Sequence, residues 1–368
     1  MSAKSISVGI IGVGQIGKQH LETYLSMDGV HVAGIAGHDP QRTEEVARKY
    51  NIPFWTTDYH TLLEQEKMDA VSVCLHNNLH MPICVSALEA GKHVLCEKPI
   101  AGSYHDAFLM IEGAKKNKKI LSIQLSDLFS KETKAAKVAI KEGWLGNPYL
   151  AHSSGFRRRG RPYIDGYGAP AFVQKENAGG GALLDMGVYH IANILYLIDN
   201  PQPVRISGQT YQQTKMDPAR QSLSKYDVEE LALGFIQLEK NITFTVIESW
   251  AMHLNQLEGS YIAGSEGGIR LNPFGLFRSL GDLDINSTAN LDAFDFRLHN
   301  VRGFGDAYDG PQQHFIAAIQ ERVQIIPTSE IALNTMLISE GIYLSQNLGR
   351  EVTADEVRRS SKNLAIPI

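Results

Sequence analysis

The sequence predicts an α/β protein with two domains: an N-terminal doubly wound parallel sheet and a C-terminal α+β domain rich in antiparallel strands. Three observations support this prediction. The chain has 368 residues, and one domain usually takes about 100–200. Its first third alternates short apolar runs with helix-like segments, as parallel strands joined by helices do. Beyond residue 200, short segments alternate between apolar and polar residues, which is typical of half-buried strands.

Composition excludes several classes of protein. The net charge is −5, so no basic face for nucleic acid or anionic lipid is expected. The first six residues do not resemble a signal peptide, and no apolar run approaches the roughly 18 residues of a membrane span. Cys74, Cys84 and Cys96 are expected to be small buried residues in a reducing compartment. We therefore expect a cytoplasmic protein without nucleic-acid or membrane partners, and no spacing of metal ligands is apparent.

The first strand–turn–helix unit carries a glycine fingerprint. Residues 7–11 read as a buried strand, residues 18–27 as a helix, and Gly12-Val13-Gly14-Gln15-Ile16-Gly17 lies between them. In this setting the first glycine permits a tight turn, the second lets the backbone approach a pyrophosphate, and the third allows close packing of helix and strand. This is the Rossmann pattern, and we expect a dinucleotide to contact Gly12, Gly14, Gln15 and Ile16.

The second strand, residues 30–36, ends where such sites usually carry an acid for the adenosine ribose. Gly37 occupies that place, and His38 and Arg42 are nearby. These cations favour a 2′-phosphate, and thus NADP over NAD, while all three positions remain candidate cofactor contacts. Asp39 is close enough in sequence to reach a ribose, but because it precedes Pro40 it is predicted instead to cap the following helix.

The alternation continues to residue 125, where we place the end of the first domain; residues 126–368 form the second. The predicted strands are 69–74, 92–96 and 120–125, and the helices are 41–50, 78–90 and 104–116. Ligands bind at the carboxyl ends of strands in doubly wound sheets. The candidate cofactor contacts at these ends are Leu75, His76, Asn77, His80, Glu97, Lys98 and Gln124. His76 and His80 are expected to flank the cofactor or cap a helix rather than to catalyse.

Lys98 is the candidate catalytic cation. It stands at a strand end before Pro99, which restricts Lys98 to an extended conformation and permits a cis peptide bond. A lysine held in this way can act on a substrate, whereas the alternative is a solvated loop lysine.

These segments together resemble the Gfo/Idh/MocA oxidoreductases. The motifs that carry the resemblance are the glycine fingerprint, Asn77 with His80, the run from Ala90 to Pro99, Gly143-Trp144-Leu145-Gly146, the run from Gly179 to Gly187, and the segment 335–350. The resemblance implies a Rossmann domain followed by a domain built on a large open, mostly antiparallel sheet. That sheet commonly forms the oligomer interface, so a homodimer or homotetramer is expected. It further implies hydride transfer to or from a sugar or cyclitol, with Lys98 at the nicotinamide ribose and the reacting oxygen.

A predicted helix over residues 182–198 carries the candidate proton-transfer groups. Asp185 and Tyr189 are four residues apart and share a face, whereas His190 lies about 100° further round a regular helix. In much of the resembled family a histidine four residues after this aspartate is the base. Histidine titrates closer to neutral pH than tyrosine, so either Tyr189 acts, or a distorted helix start lets His190 act. We favour His190.

Four arginines, at positions 157, 158, 159 and 161, follow the predicted strand 148–156. Such a cluster indicates either an anionic substrate, or a solvated loop or ion pairs to another subunit. Arg157 and Arg158 are closest to the strand and are the predicted substrate contacts, together with Lys98, Asp185, Tyr189 and His190. Residues 163–178 are expected to form a loop over the substrate. Further strands are predicted at 204–211, 230–238, 243–249, 259–263 and 269–271, and helices at 128–141, 312–321 and 329–347.

The sequence therefore predicts an NAD(P)-dependent sugar or polyol dehydrogenase or reductase. Two alternatives stay open: a glycosidase that uses NAD for transient oxidation and elimination, and a non-catalytic regulator that binds the cofactor. Release of reduced cofactor would argue against the glycosidase, and a regulator would not need Lys98 and Asp185.

Overall fold

The structure, a computed structural model, describes residues 4–367. Its strands in chain order are β1 (Ile6–Ile11), β2 (Val30–Ala36), β3 (Trp55–Thr56), β4 (Ala70–Val73), β5 (His93–Cys96), β6 (Leu121–Ile123), β7 (Pro148–Phe156), β8 (Pro203–Tyr211), β9 (Leu231–Leu238), β10 (Ile242–Ser249), β11 (Tyr261–Gly264), β12 (Gly268–Arg270), β13 (Gly275–Leu280), β14 (Leu283–Ser287) and β15 (Val352–Thr353). Its α-helices are α1 (Gln15–Leu25), α2 (Pro40–Lys49), α3 (Tyr59–Leu63), α4 (Asn77–Glu89), α5 (Tyr104–Asn117), α6 (Lys131–Lys141), α7 (Lys175–Ala178), α8 (Val188–Leu197), α9 (Pro218–Ser224), α10 (Leu291–Val301), α11 (Pro311–Ile319), α12 (Thr328–Leu348) and α13 (Ala354–Ser360).

The first sheet has the order β3-β2-β1-β4-β5-β6, and all its strand pairs are parallel. This is the doubly wound order of dinucleotide-binding folds, with the change of direction between β1 and β4. Its strands are short apolar runs because helices cover both faces. Asp39 accepts a hydrogen bond from the Arg42 amide, so the predicted cap of α2 is confirmed.

The second sheet has nine strands in the order β14-β13-β12-β11-β7-β10-β9-β8-β15. It is mostly antiparallel, as the resemblance implies. The exception is the pair β7–β10, which is parallel, with Leu150 opposite Thr243. β7 comes from a distant part of the chain and lies between β10 and β11, so β10 and β11, which follow each other in sequence, are not neighbours in the sheet. β13, β14 and α10 were not predicted, because their residues are partly exposed and lack a clear apolar period.

Helix α12 covers one face of the second sheet, and glycines at the contact let the helix approach the strands closely. A Cβ atom on Gly208 or Gly234 would come within 2.8 Å of the Ile342 side chain, and one on Gly341 would lie 2.4 Å from Ile206. Close approach of helix and strand therefore requires glycine at these positions. The strand residues beneath, such as Ile236 and Phe244, are fully buried.

The chain separates into two compact units. The first joins the segment ending at Gln124 with His299–Glu330 and the stretch from Asn363 onward; the second comprises Leu125–Leu298 and Ile331–Lys362. Phe315 and Ile316 of α11 share a core with β1 and β2, so these later residues belong to the unit that contains the first sheet.

Two further properties concern the described residues as a whole. No helix among residues 4–367 is both long and apolar enough to cross a membrane, and the same residues hold no cluster of three or more potential metal ligands. Cys84 and Cys96 are buried thiols and Cys74 is partly buried. The cytoplasmic location stays a prediction.

Candidate functional site

The turn after β1 is shaped to receive a phosphate group. Gly12 has φ +99°, and a Cβ atom there would lie 2.3 Å from the Cys74 carbonyl oxygen; one on Gly17 would lie 1.8 Å from the Gly12 oxygen. At Gly14, by contrast, a Cβ would meet nothing within 4 Å. Gly14 is the N-cap of α1 and supplies no side-chain cap. The helix end thus presents backbone N–H groups to open space, which fits the pyrophosphate of a dinucleotide.

After β2, Gly37 occupies the usual place of the acid that binds a ribose, and the nearby Asp39 caps α2. A Cβ on Gly37 would lie 2.6 Å from Thr43 Oγ1 and 2.7 Å from Val13 Cγ2, so packing leaves no room for an aspartate at this position. His38 and Arg42 are exposed, and both are available to a ligand from solvent.

His80 connects the loops that follow β4 and β5. Its ring is fully buried; Nδ1 lies 2.9 Å from the Pro99 carbonyl oxygen and Nε2 lies 3.1 Å from that of Leu75. Burial lowers the pKa of His80, and these hydrogen bonds oppose the effect. Both neighbours are carbonyl acceptors, and a neutral imidazole carries one N–H, so the neutral ring donates to only one of them. The direct contact of His80 with cofactor stays a prediction. His76 is the N-cap residue of α4 but makes no side-chain capping bond.

The backbone at Lys98 is fixed by its neighbours. Glu97 accepts a hydrogen bond from the Lys98 amide at 3.1 Å and contacts His20 Nε2 at 2.9 Å. His20 is itself buried on α1 and pairs with Ser72 at 2.8 Å. The Lys98–Pro99 peptide bond is cis, as Pro99 allows. Lys98 is half-buried just after the carboxyl end of β5. Its backbone position is fixed by the hydrogen bond to Glu97.

Gln124 follows β6, the last strand of the first sheet. Its amide donates to the Cys96 carbonyl oxygen at 2.9 Å, whereas its side-chain oxygen is buried without a hydrogen-bond partner among the described residues. Buried acceptors are normally paired, so this oxygen is consistent with a polar ligand at this end of the sheet. The glycine turn and Gln124 together fit a bound dinucleotide.

In the second unit, the helix that carries the candidate proton-transfer groups begins with a π-helical turn, Leu183–Gly187, before α8. The start of the predicted helix over residues 182–198 is therefore distorted, which is the condition under which His190 is favoured; the role of His190 stays a prediction. A π turn bonds residue i to i+5, so the wider turn brings His190, five residues after Asp185, toward the side that a residue four later would occupy in a regular α-helix.

Glu229 holds the start of this helix. Its carboxylate accepts hydrogen bonds from the Gly181 amide at 2.8 Å, the Leu183 amide at 3.0 Å and the Tyr343 hydroxyl at 3.0 Å. A Cβ on Gly181 would lie only 1.8 Å from the Glu229 carbonyl oxygen. A buried side chain from another part of the chain thus caps the distorted turn.

Two side chains at the end of β10 hold Asp185 and His190. Trp250 Nε1 donates to Asp185 Oδ2 at 3.0 Å, and Glu248 Oε2 lies 2.9 Å from His190 Nδ1. Glu248 lies in β10 and Trp250 follows directly after its end, so one short segment holds both groups. Burial lowers the pKa of His190, but the Glu248 carboxylate outweighs this and raises it to about 9.

The four arginines have different surroundings. Arg157 donates to the Tyr167 hydroxyl at 2.5 Å, and its charge reaches His190 and lowers the pKa of that ring. Arg158 is exposed and donates to the Leu254 carbonyl oxygen at 2.8 Å. Arg161 is 1% exposed and pairs with two acids, Asp165 and Glu230. Arg161 is therefore held by ion pairs within the chain, which neither alternative anticipated, while the charge of Arg157 reaches the candidate proton-transfer group.

Tyr167, in the predicted loop, is another neighbour of this group. Burial and the charge of Asp185 raise the pKa of Tyr167 to about 12, and Arg157 opposes them. The sequence analysis missed Tyr167, Glu229, Trp250 and Glu248. Only Glu248 has a visible signal: it continues the buried row of Ile242, Phe244 and Val246 on β10, where a charged residue is unusual.

Two family models match the N-terminal and the C-terminal part of the chain separately. Residues 6–125 match the model of an oxidoreductase family with an NAD-binding Rossmann fold, and residues 133–270 match the GFO/IDH/MocA C-terminal domain. D-glucoside 3-dehydrogenase of Escherichia coli (strain K12) is 28% identical over 287 residues, 74% of this chain and 79% of that protein. Myo-inositol 2-dehydrogenase of Thermotoga maritima is 29% identical over 191 residues, 52% of this chain and 54% of that protein.

Solved structures show the same fold. Levoglucosan dehydrogenase in complex with NADH superimposes with a TM-score of 0.79 at 21% identity and covers 95% of this chain and 99% of its own. An aldose–aldose oxidoreductase from Caulobacter crescentus gives 0.73 at 20% identity over 95% of this chain and 100% of its own. The Rossmann order of the first sheet, the large mixed sheet of the second unit and both family models agree: the chain belongs to the Gfo/Idh/MocA family of NAD-binding oxidoreductases.

Proposed function

We propose that this protein transfers a hydride between a nicotinamide cofactor and the hydroxyl or carbonyl carbon of a sugar, cyclitol or related derivative. The observation that carries the proposal is the site around the π-helical turn. Trp250 donates a hydrogen bond to Asp185 in this turn, and Glu248 contacts His190 just after it. The relatives named as glucoside and inositol dehydrogenases support the substrate class.

Each candidate residue has a defined task in this proposal. Bound nicotinamide supplies the site that accepts or returns the hydride. His190 takes the hydroxyl proton in oxidation and returns it in reduction, with Tyr189 as the alternative carrier. Lys98 stabilises negative charge that develops on the reacting oxygen. Asp185, oriented by Trp250, holds an adjacent substrate hydroxyl.

Arg157 and Arg158 are the proposed substrate contacts from the arginine cluster. Arg157 is the better supported of the two, because it lies within electrostatic reach of His190. Arg158 reaches the Leu254 carbonyl oxygen instead and would have to leave it to bind a substrate.

For the cofactor, NADP is favoured over NAD. Gly37 leaves no acid at the end of β2, and an acid there would repel a 2′-phosphate. His38 and Arg42 are exposed at the same strand end and would attract it. Relatives in the family are known with NADH bound, so the preference depends on these local residues alone.

We also propose that the chain assembles as a homodimer or homotetramer through the second sheet. The sheet face that carries Phe235 is only partly covered in the single chain: Phe235 is 54% exposed, and Leu233 and Ile247 on the same face are partly exposed. An open apolar face of this kind is typical of an interface.

The test is an activity screen of the full-length protein with NAD and NADP against a library of sugars and cyclitols, followed by reduced-cofactor absorbance. Replacement of Lys98 by Met should lower kcat/KM by on the order of 10²–10³ with every active substrate, because a charge on the reacting oxygen loses its partner. Lys115→Met, which removes a lysine from an exposed pair with Glu112, is the control and should match the wild type.

Three outcomes would contradict the proposal or part of it. Unchanged turnover in Lys98→Met across the panel would show that Lys98 is not catalytic. Cleavage of a glycoside without release of reduced cofactor would favour the glycosidase. Tight cofactor binding with no turnover of any member of the library would favour the regulator.

A further inference from the structure

The carboxylate of Glu248 is an unusual feature of the second sheet. It is 0% exposed, and a buried carboxylate is strongly destabilising unless it is paired. Ser153 donates to Oε1 at 3.0 Å, and His190 Nδ1 lies 3.1 Å from Oε1 and 2.9 Å from Oε2. The carboxylate therefore depends on two partners, of which His190 alone carries ionisable charge.

The backbone around this pair provides the space it needs. Gly155 lies opposite Glu248 in the parallel pairing of β7 and β10, and a Cβ on it would lie 2.0 Å from Glu248 Oε2 and 2.6 Å from the His190 ring. A Cβ on Gly187 would lie 2.9 Å from Glu248 Cγ. Glycine inside a strand weakens it, so Gly155 indicates that the contact between carboxylate and imidazole takes precedence over strand stability.

We infer that Glu248 is a positioning residue for the proposed reaction: it fixes the proton on Nδ1 of His190 and so leaves Nε2 as the nitrogen that exchanges a proton with the substrate oxygen. The inference rests on the proposed function. The hydrogen bond at one ring nitrogen decides which tautomer is present and how the ring is oriented. In oxidation Nε2 accepts the hydroxyl proton and the ring becomes cationic; in reduction Nε2 returns that proton and the ring becomes neutral.

Charges from several elements face His190. Glu248 on β10 and Asp127, in the short 3₁₀ segment before α6, favour the cation; Arg157 after β7 disfavours it, as does burial. Glu248 prevails, and the pKa of His190 is raised to about 9. The ring is consequently a proton donor at neutral pH and becomes a proton acceptor only in alkaline solution. Oxidation should therefore accelerate toward pH 9, whereas reduction should not.

The experiment follows His190 directly in the full-length protein. Histidine resonances are recorded by NMR between pH 5 and pH 10, with His190 assigned by its absence in His190→Asn, and the pH profile of kcat for oxidation is measured in parallel. In Glu248→Gln the titration midpoint of His190 and the alkaline limb of kcat should both move at least about one pH unit to lower pH. Glu248→Asp, which retains the charge, should move less.

A surface variant in the same unit serves as the control. Glu142→Gln removes an exposed carboxylate and should leave both readouts at their wild-type values. A wild-type midpoint near 6.5, or identical midpoints in wild type and Glu248→Gln, would overturn the inference. If Glu248→Gln does not fold, the wild-type midpoint alone still decides. Full turnover in His190→Asn would instead show that the proposed role of His190 is wrong, so the two failures are distinguishable.

Discussion

The contact between His190 and Glu248 couples the protonation of His190 to the stability of the fold. Its pKa is raised to about 9 in the folded chain, whereas an unfolded histidine titrates near 6.5. The folded state therefore binds this proton more tightly, and the stabilisation is complete below about pH 6.5 and is lost as pH rises through 9.

We expect the pair to contribute about 1–3 kcal/mol to the free energy of unfolding at pH 6 and almost nothing at pH 10. The measurement is urea unfolding of wild type and His190→Asn across this range. The difference between the two proteins should shrink as pH rises. A difference that stays constant from pH 6 to pH 10 would contradict the raised pKa.

Cofactor choice also belongs to the residue scale. Replacing both His38 and Arg42 by Ala should weaken NADP binding about tenfold, or roughly 1.4 kcal/mol, and leave NAD binding unchanged, because only the 2′-phosphate is affected. Fluorescence titration of both cofactors measures this. Lys67→Ala, which removes an exposed cation elsewhere in the first unit, is the control. Wild-type protein that binds NAD more than tenfold tighter than NADP would refute the preference.

The sequence could predict residues whose surroundings are local. The glycine turn, Asp39 as a cap and Lys98 before Pro99 depend on a few neighbouring residues, and the structure places each at the end of a strand or helix. Glu248 is different, because its partners Ser153 and His190 come from other elements. No spacing along the chain reveals such a contact, and only a charge in a buried strand row hints at it.

At the scale of the element, the spacing of Asp185 and His190 suggests a distorted helix start, but local pattern could not show that the distortion is a π turn. A regular helix over residues 182–198 also fits the local sequence, and the two arrangements differ by one residue in hydrogen-bond register. The turn is fixed by Glu229, which lies on the segment that leads into β9 and accepts from both Gly181 and Leu183. A long-range carboxylate thus decides the register of a local element.

Replacing Glu229 by Gln should lower the free energy of unfolding by about 2–4 kcal/mol, since at least one buried amide loses its acceptor. Because the helix start would relax toward regular α-helix, kcat should fall more than KM rises. Urea unfolding and steady-state kinetics measure these effects. Glu239→Gln, at the exposed turn before β10, is the matched control. Full stability with unchanged kcat would mean that Glu229 does not maintain the turn.

At the scale of the whole molecule, we expect the exposed face of the second sheet to determine the proposed assembly. Phe235→Lys places a charge at the most exposed aromatic position of this face. Light scattering coupled to size exclusion should show the wild type as a dimer or tetramer and the variant as a smaller species, because a buried unpaired charge opposes association. Phe172→Lys, an exposed aromatic outside the sheet, should not change the mass. A monomeric wild type would contradict the proposal.

The parallel pair β7–β10 has a consequence for the order of folding. Ser153 and Glu248 are 95 residues apart in the chain, and their strands can pair only after the intervening segment has been closed into a loop. Long-range pairing of this kind is slow compared with the formation of helices and hairpins. We therefore expect the contact between Glu248 and His190 to form after α8. A refolding chain should recover its helical signal before it recovers the alkaline titration of this histidine.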